Sequence, residues 1–392
     1  MPALPPQHDL PEGHADDGLT PFHAMEILAL ARQLEGQGRS ICHLEVGEPC
    51  VPPAPEVRRA AVDALALPQR YTHAKGMPEL RARLARWYRE RHGAEVDPEH
   101  ILVTMGSSAG FILAFLSAFA PGARIAVTRP GYPAYLNTIA ALGFSAREIA
   151  LSPETGWRLD AEMIEAAFRA EPFEGLLFAS PANPTGAMIS PEGMAGVVET
   201  CRRLGVRLIS DEIYHGLSHG MRCASALETT DEAIIVNSFS KYFCMTGWRI
   251  GWLVLPEALV RRAEMLQQNL FISAPSLSQV AGLAALETTA YSEVQREGYG
   301  RNRVLLTEGL AQLGFGVGAP SDGAFYAYAD ASAFTNQSLE FCKAMLAEAG
   351  VAATPGIDFD RRDGGRYVRF SYAGTEATMT EALERLGGWL SR

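Results

Sequence analysis

The stretch 206-VRLISDEIY-214 passes from a short apolar run straight into Asp211, Glu212 and Tyr214. Three other places do the same. His100–Thr104 (HILVT) runs into Gly106-Ser107-Ser108-Ala109-Gly110, and Gly175–Ser180 (GLLFAS) runs into Pro181-Ala182-Asn183-Pro184-Thr185-Gly186. Ala233–Asn237 (AIIVN) runs into Ser238-Phe239-Ser240-Lys241. Several intervals between these runs, notably Pro191–Leu204, have helical character. Near-continuous apolar strands alternating with helices predict an α/β fold, with a mostly parallel sheet covered by helices on both faces. In such a sheet the carboxyl ends of parallel strands share one rim, and ligands bind beyond it. Taken singly, each polar cluster is an ordinary cap or turn. Their common position is what predicts a site.

Working outward, Phe22–Glu35 has helical periodicity and Ile41–Val46 (ICHLEV) reads as a strand ending at Gly47. Pro78 opens a long amphipathic helix that Gly93 stops. A small-residue turn and a helix over Gly110–Phe119 are expected after HILVT; RIAVT and GWLVL read as further strands. Beyond about Tyr291 the pattern becomes a long helix, the strand FYAYA, a helix, the strand YVRFSYA and a last helix over Thr375–Leu390. That predicts a smaller α+β domain. The expected partition is an N-terminal arm over 1–21, a small domain from 22–46 and 287–392, and a large domain over 47–286.

Composition narrows the function. A formal net charge of −11 argues against a nucleic-acid surface, which needs a clustered basic face. No apolar run approaches the roughly 20 residues of a membrane span. The Pro-rich, acidic start lacks a signal-peptide pattern and is expected to be a loose arm. Cys42, Cys50, Cys201, Cys223, Cys244 and Cys342 form no C-x-x-C pair, so buried free thiols in a reducing cytoplasm are expected, with no metal site. No G-x-G-x-x-G follows the first apolar strand, which disfavours a nucleotide-dependent oxidoreductase. Lysine is scarce: of 34 basic residues only Lys75, Lys241 and Lys343 are lysines. Arginine-rich base composition accounts for that, so the setting of Lys241 must carry the argument.

Eight segments supply that setting: VGEP, YTHAKGMPELR, TMGSSAG, PGYPAY, SPANPTG, SDEIYHGL, SFSKYFCMTGWRIG and YVRFSYA, in this order. Together they resemble the class I/II aminotransferases, pyridoxal-phosphate (PLP) enzymes of the aspartate aminotransferase-like fold, called PLP transferase fold type I. The resemblance runs from about Phe22 to the C-terminus. It implies that the large domain binds pyridoxal 5'-phosphate.

The resemblance also implies roles. Lys241 would form the Schiff base with the cofactor aldehyde and, once freed, move the α-proton; arginine stays protonated and could do neither. Asp211 would partner the pyridine nitrogen. Asn183 and Tyr214 would hydrogen-bond the ring's phenolic oxygen, and Tyr132 would stack on the ring. Ser107, Ser108, Ala109, Ser238, Ser240 and Arg249 would hold the phosphate, at a helix N-terminus and with bidentate Arg geometry. Tyr71 would reach the phosphate of a neighbouring subunit, which implies a homodimer with shared sites. Arg369 would clamp the substrate carboxylate, with Gly47 and Asn183 beside it.

The expected reaction moves an amino group between an L-amino acid and a 2-oxo acid by a ping-pong cycle. The rivals are a carbon–sulfur or β-lyase, or other α-carbon chemistry, on the same scaffold. An effector-sensing domain of a transcription regulator would need a fused DNA-binding segment, for which the arm before Phe22 is too short. Phe22, Tyr132 and Phe271–Ser273 are expected to give an apolar lining suited to neutral or aromatic amino acids; the donor and acceptor themselves stay open. Asp360, after Phe359, stands where many relatives have glycine, in a loop near the entrance.

Overall fold

A computed structural model describes residues 18–392. Residues 1–17, most of the expected arm, lie outside it. In chain order the strands are β1 (Cys42–His43), β2 (Ile101–Thr104), β3 (Arg124–Arg129), β4 (Ser145–Ala150), β5 (Gly175–Ala179) and β6 (Arg207–Asp211). They continue as β7 (Ile234–Ser238), β8 (Gly251–Val254), β9 (Tyr326–Asp330), β10 (Val351–Ala352), β11 (Thr354–Pro355) and β12 (Tyr367–Ser371). The first five helices are α1 (His23–Gly36), α2 (Pro55–Leu65), α3 (Pro78–His92), α4 (Gly106–Ala118) and α5 (Pro133–Ala141).

The central sheet has the order β2-β8-β7-β6-β5-β3-β4. Only β8 (the run GWLVL) is antiparallel to its neighbours; the other six point the same way. The inner strands β5 and β8 are apolar because both faces are covered, whereas the edge strand β4 carries Arg147 and Glu148. Leu176, Leu208, Ile235 and Trp252 pack on one face, while Leu177, Ile209, Val236 and Leu253 pack on the other against Phe111 and Phe115 of α4. Successive residues alternate sides, so the middle of each inner strand is apolar on both faces and polar residues gather toward the strand ends. Two smaller sheets follow: the antiparallel β11-β12-β9 and the parallel pair β1-β10.

Three local readings need correction. Helix α4 begins at Gly106, not Gly110, so Ser107, Ser108 and Ala109 form its first turn. Gly110 is no breaker; it brings α4 close to the sheet, where an added Cβ would lie 3.3 Å from Leu253. The expected strand Ile41–Val46 is ordered as a strand only at Cys42–His43, because its partner Val351–Ala352 is equally short. Leu44 still bonds the backbone of Ala352 and Ser371, but from Glu45 side chains take over, its carbonyl accepting from Arg369 and Thr354. Finally, all six cysteines are free, but Cys50 is exposed rather than buried.

The loop with Asp360 is tightly held. Asp360 is buried, accepts from Arg129 Nη1 at 2.7 Å, and takes the backbone N–H groups of Arg362 and Asp363. Two residues earlier, Asp358 accepts the N–H groups of His23 and Ala24 and so caps α1. That bond fixes the entry of α1 and seats Phe22 edge-on to Tyr132, with ring centroids 6.2 Å apart.

Candidate active site

The parallel strands β2, β5, β6 and β7 end on one rim, and their polar successors surround a cavity of about 230 Å³. Ser107, Ser108, Tyr132, Asn183, Asp211, Tyr214, Ser240, Lys241 and Arg249 line it from the large sheet's side. Gly47 and Arg369 close it from the smaller sheets' side, with Phe22, Ala24 and Met25 at the mouth. A larger cavity, about 650 Å³, lies at the opposite ends of the strands among Gly205–Leu208, Ala123 and Ala233. It gathers no comparable set of reactive groups.

Lys241 stands at the floor, its Nζ donating to the Gly47 carbonyl at 2.5 Å. Burial, reinforced by the positive charges of Arg369 and Arg249, draws its amine down to about 8, against the pull of Glu48 and Asp211. About a tenth is therefore neutral and nucleophilic at pH 7, far more than for an ordinary lysine. Lys75 contrasts with it: that ammonium is bound to Glu99, a structural contact. Lys343 is an exposed helix residue paired with Glu340.

Asp211 ends β6, enclosed. Burial pushes its carboxyl up to about 6, while the Tyr135 hydroxyl, the Ile213 N–H and Lys241 favour the anion. It has no salt-bridge partner among the described residues, so a buried carboxylate is left to face a cation supplied from the cavity. Burial also raises Tyr214 well above the usual tyrosine range; its hydroxyl lies 2.7 Å from that of Tyr326.

Arg369 on β12 is buried yet not saturated. Its Nη1 donates to Asn183 Oδ1 at 2.9 Å, and its Nη2 to the Glu45 carbonyl and Thr354 Oγ1. Nε has no partner among the described residues. The guanidinium stacks over the Tyr326 ring at 4.3 Å and the Phe359 ring at 4.8 Å, so its plane is fixed. A fixed guanidinium facing a cavity suits a carboxylate.

Arg249 and the start of α4 make an anion cradle. Arg249 has φ 51°, and its guanidinium lies so close to Gly106 that an added Cβ there would be 2.7 Å from Nη2. Gly106 itself has φ 73°, so glycine is required twice over. The free amides of the first turn of α4 and this guanidinium face the same space.

Not every expected residue reaches the cavity. Ser238 is buried behind Ser240, its Oγ bonded to Ser240 Oγ and to the Ile250 carbonyl, which shapes the turn before Lys241. Ala109 is buried in α4 and offers no side chain to the lining. Tyr71 is 84% exposed and is not part of its own chain's cavity lining. Phe271–Ser273 is absent from the lining, and Ile272 is exposed. Among the lining residues that escaped the sequence reading are Tyr135 and Tyr326. Tyr135 lies one helical turn beyond Tyr132, a spacing that could have indicated it. Tyr326 lies on FYAYA, where alternation places it opposite to its neighbours, yet nothing local marks it as polar-active.

The sequence pattern of the family "Aminotransferase class I and II" matches residues 39–386. The valine–pyruvate aminotransferase of Mycobacterium tuberculosis is 45% identical over 95% of this chain and 97% of its own length. An aspartate/prephenate aminotransferase of Thermus thermophilus is 34% identical over 95% of this chain and 97% of its own. A crystal structure of an aminotransferase from Mycobacterium tuberculosis superposes with a TM-score of 0.93 at 44% identity, over 97% of this chain and 99% of that one. With the rim, the lysine and the two arginines placed as described, the chain belongs to the class I and II aminotransferases.

Proposed function

We propose that the protein transfers an amino group between an L-amino acid and a 2-oxo acid by a ping-pong cycle, using pyridoxal 5'-phosphate anchored on Lys241. The observation that carries the reading is the amine of Lys241 standing between an unpaired buried carboxylate, Asp211, and an unsaturated buried guanidinium, Arg369. The residues present fit the cofactor. Arg249 with the first turn of α4 and Ser240 would hold its phosphate, Asp211 its ring nitrogen, and Asn183 and Tyr214 its phenolic oxygen. Tyr132 would lie on the ring face. When bound, the cofactor supplies an electron-accepting ring that acidifies the amino acid's α-hydrogen.

The chain's own residues do the rest. Asp211 remains anionic beside a cation and keeps the ring nitrogen protonated. Arg369 binds the substrate carboxylate by its open N–H groups, and Asn183 fixes the guanidinium, so the α-hydrogen is presented toward Lys241. Lys241 Nζ, drawn down to about 8, takes that proton and returns it. Phe22 and α1 shield the mouth from water.

Both cavity arginines are committed, one to phosphate and one to the α-carboxylate. The rest of the wall includes the apolar Phe22, Ala24, Met25, Val46, Phe111 and Ile213, and its further charged residues, Glu45 and Glu48, are acidic. We therefore favour neutral substrates over dicarboxylic ones, in keeping with the name of the valine–pyruvate relative. The exposure of Tyr71 supports a homodimer in which it completes the partner's phosphate site, and the six unpaired thiols suit the cytoplasm.

The test is direct. With pyridoxal phosphate the wild type should turn yellow, give a borohydride-stable adduct at Lys241, and release one equivalent of 2-oxo acid per site when no acceptor is present. Lys241→Ala should give no adduct and lose activity by at least about 10³-fold. A wild type that stays colourless, or that releases ammonia continuously without acceptor, would overturn the reading.

A further inference from the structure

The segment Asp211-Glu212-Ile213-Tyr214-His215 faces two ways. Asp211 and Tyr214 line the cavity, whereas Glu212 and His215 are buried behind it. Glu212 Oε1 accepts from Ser210 Oγ at 3.2 Å, Ser225 Oγ at 2.9 Å and the Ala226 N–H at 3.1 Å. Oε2 accepts from Ser225 Oγ at 3.0 Å and lies 3.4 Å from His215 Nδ1. On the other side of the ring, His215 Nε2 is 3.1 Å from the Ser180 carbonyl oxygen. A carbonyl only accepts, so Nε2 carries a hydrogen. Nδ1 has no hydrogen-bond partner among the described residues.

An ionised Glu212 facing a neutral imidazole would therefore set two lone pairs against each other in a closed interior. One proton between them removes that conflict. We propose that Glu212 and His215 share this proton at neutral pH and act together as a positioning pair, locking the tautomer that ties the Ser180 carbonyl in place. Ser180 is a junction: its N–H donates to the Asp211 carbonyl, its Oγ accepts from the Ile189 N–H, and Asn183 follows three residues on. Through Asn183 the pair steadies Arg369.

The surroundings favour the uncharged arrangement. The His92 ring is 5.1 Å from His215, with Nδ1 on Glu228, and Glu228 is taken up by Arg222. Arg91 acts on His92, while Tyr88 and Cys223 are the other titratable groups near Glu212. Burial raises Glu212 to about 8 and holds His215 well below the ordinary histidine range, so both lean toward neutrality.

The effect on the site rests on the proposed PLP reading; the shared proton does not, so the two can fail separately. In full-length protein carrying ¹⁵N-histidine, with and without pyridoxal phosphate, His215 should show a neutral ring protonated at Nε2, unchanged from pH 6 to 8. Glu212→Gln, whose amide can donate to Nδ1, should keep that signature and hold cofactor Kd within about twofold of wild type. Glu212→Leu should raise the cofactor Kd and lower kcat by about tenfold, the scale of one lost buried hydrogen bond, with a smaller change in KM. An imidazolium signature in this range, or Glu212→Gln behaving like Glu212→Leu, would overturn the proposal. If Glu212→Leu does not fold, the spectra of wild type and Glu212→Gln still decide it.

Discussion

At the scale of single residues, the site works by leaving charges incomplete. Asp211 and Arg369 are buried without full sets of partners, and Lys241 is pressed between them. The proton on Lys241 should therefore control loading. In the cofactor-free protein, the rate of aldehyde capture should rise about tenfold per pH unit up to about 8 and level off above it, because only the neutral amine attacks. Stopped-flow absorbance would measure this; a rate still climbing steeply at pH 10 would contradict it. Tyr135 holds Asp211 in its anionic form by one hydroxyl. Tyr135→Phe should raise the carboxyl further above 6 and lower kcat by about tenfold with KM little changed, since a buried hydrogen bond to a charge is lost. Steady-state kinetics over pH 5–9 would show the acid limb of the profile moving upward.

At the scale of elements, the sequence was legible where one element could be read alone. The runs at β2, β5, β6 and β7 are mostly apolar because two covering layers demand it, and their polar successors marked the rim. The strand β4 (SAREIA) was not legible: it lies at the sheet edge, where Arg147 and Glu148 are tolerated. Nor was the true start of α4, since Gly106 and Gly110 look alike in sequence but differ in φ and in what crowds them. Tyr326 became a site residue only when β9 paired with β12, a contact spanning some forty positions that no local pattern encodes. Gly106→Ala should test the cradle: cofactor Kd should rise at least about tenfold and stability fall by about 1–2 kcal/mol from the left-handed backbone. Equilibrium dialysis and thermal melts would separate the two effects. At the entrance loop, Asp360→Ala leaves Arg129 with Glu148 and the exposed Asp363 and removes one charge-assisted hydrogen bond, which should cost about 2 kcal/mol in denaturant unfolding.

At the scale of the whole molecule, the cavity belongs to no single sheet, and the proposed second chain can be tested at the exposed Tyr71. Lys241→Ala and Tyr71→Ala variants, each impaired alone, should regain activity when unfolded and refolded together. Random pairing gives half mixed dimers with one intact site of two, or about a quarter of wild-type activity. No recovery in mixed dimers identified by native mass spectrometry would place Tyr71 outside any shared site. Within one chain, the meeting of the sheets comes down to Gly47. An added Cβ there would lie 1.9 Å from the Tyr326 hydroxyl, while the Gly47 carbonyl tethers the Lys241 ammonium. One extra methyl would thus drive the Tyr326 ring from its place and disturb the tether of the amine at a single stroke. Natural variation has no gentle path through this position, and a designer wishing to widen the cavity must shorten Tyr326 before touching it.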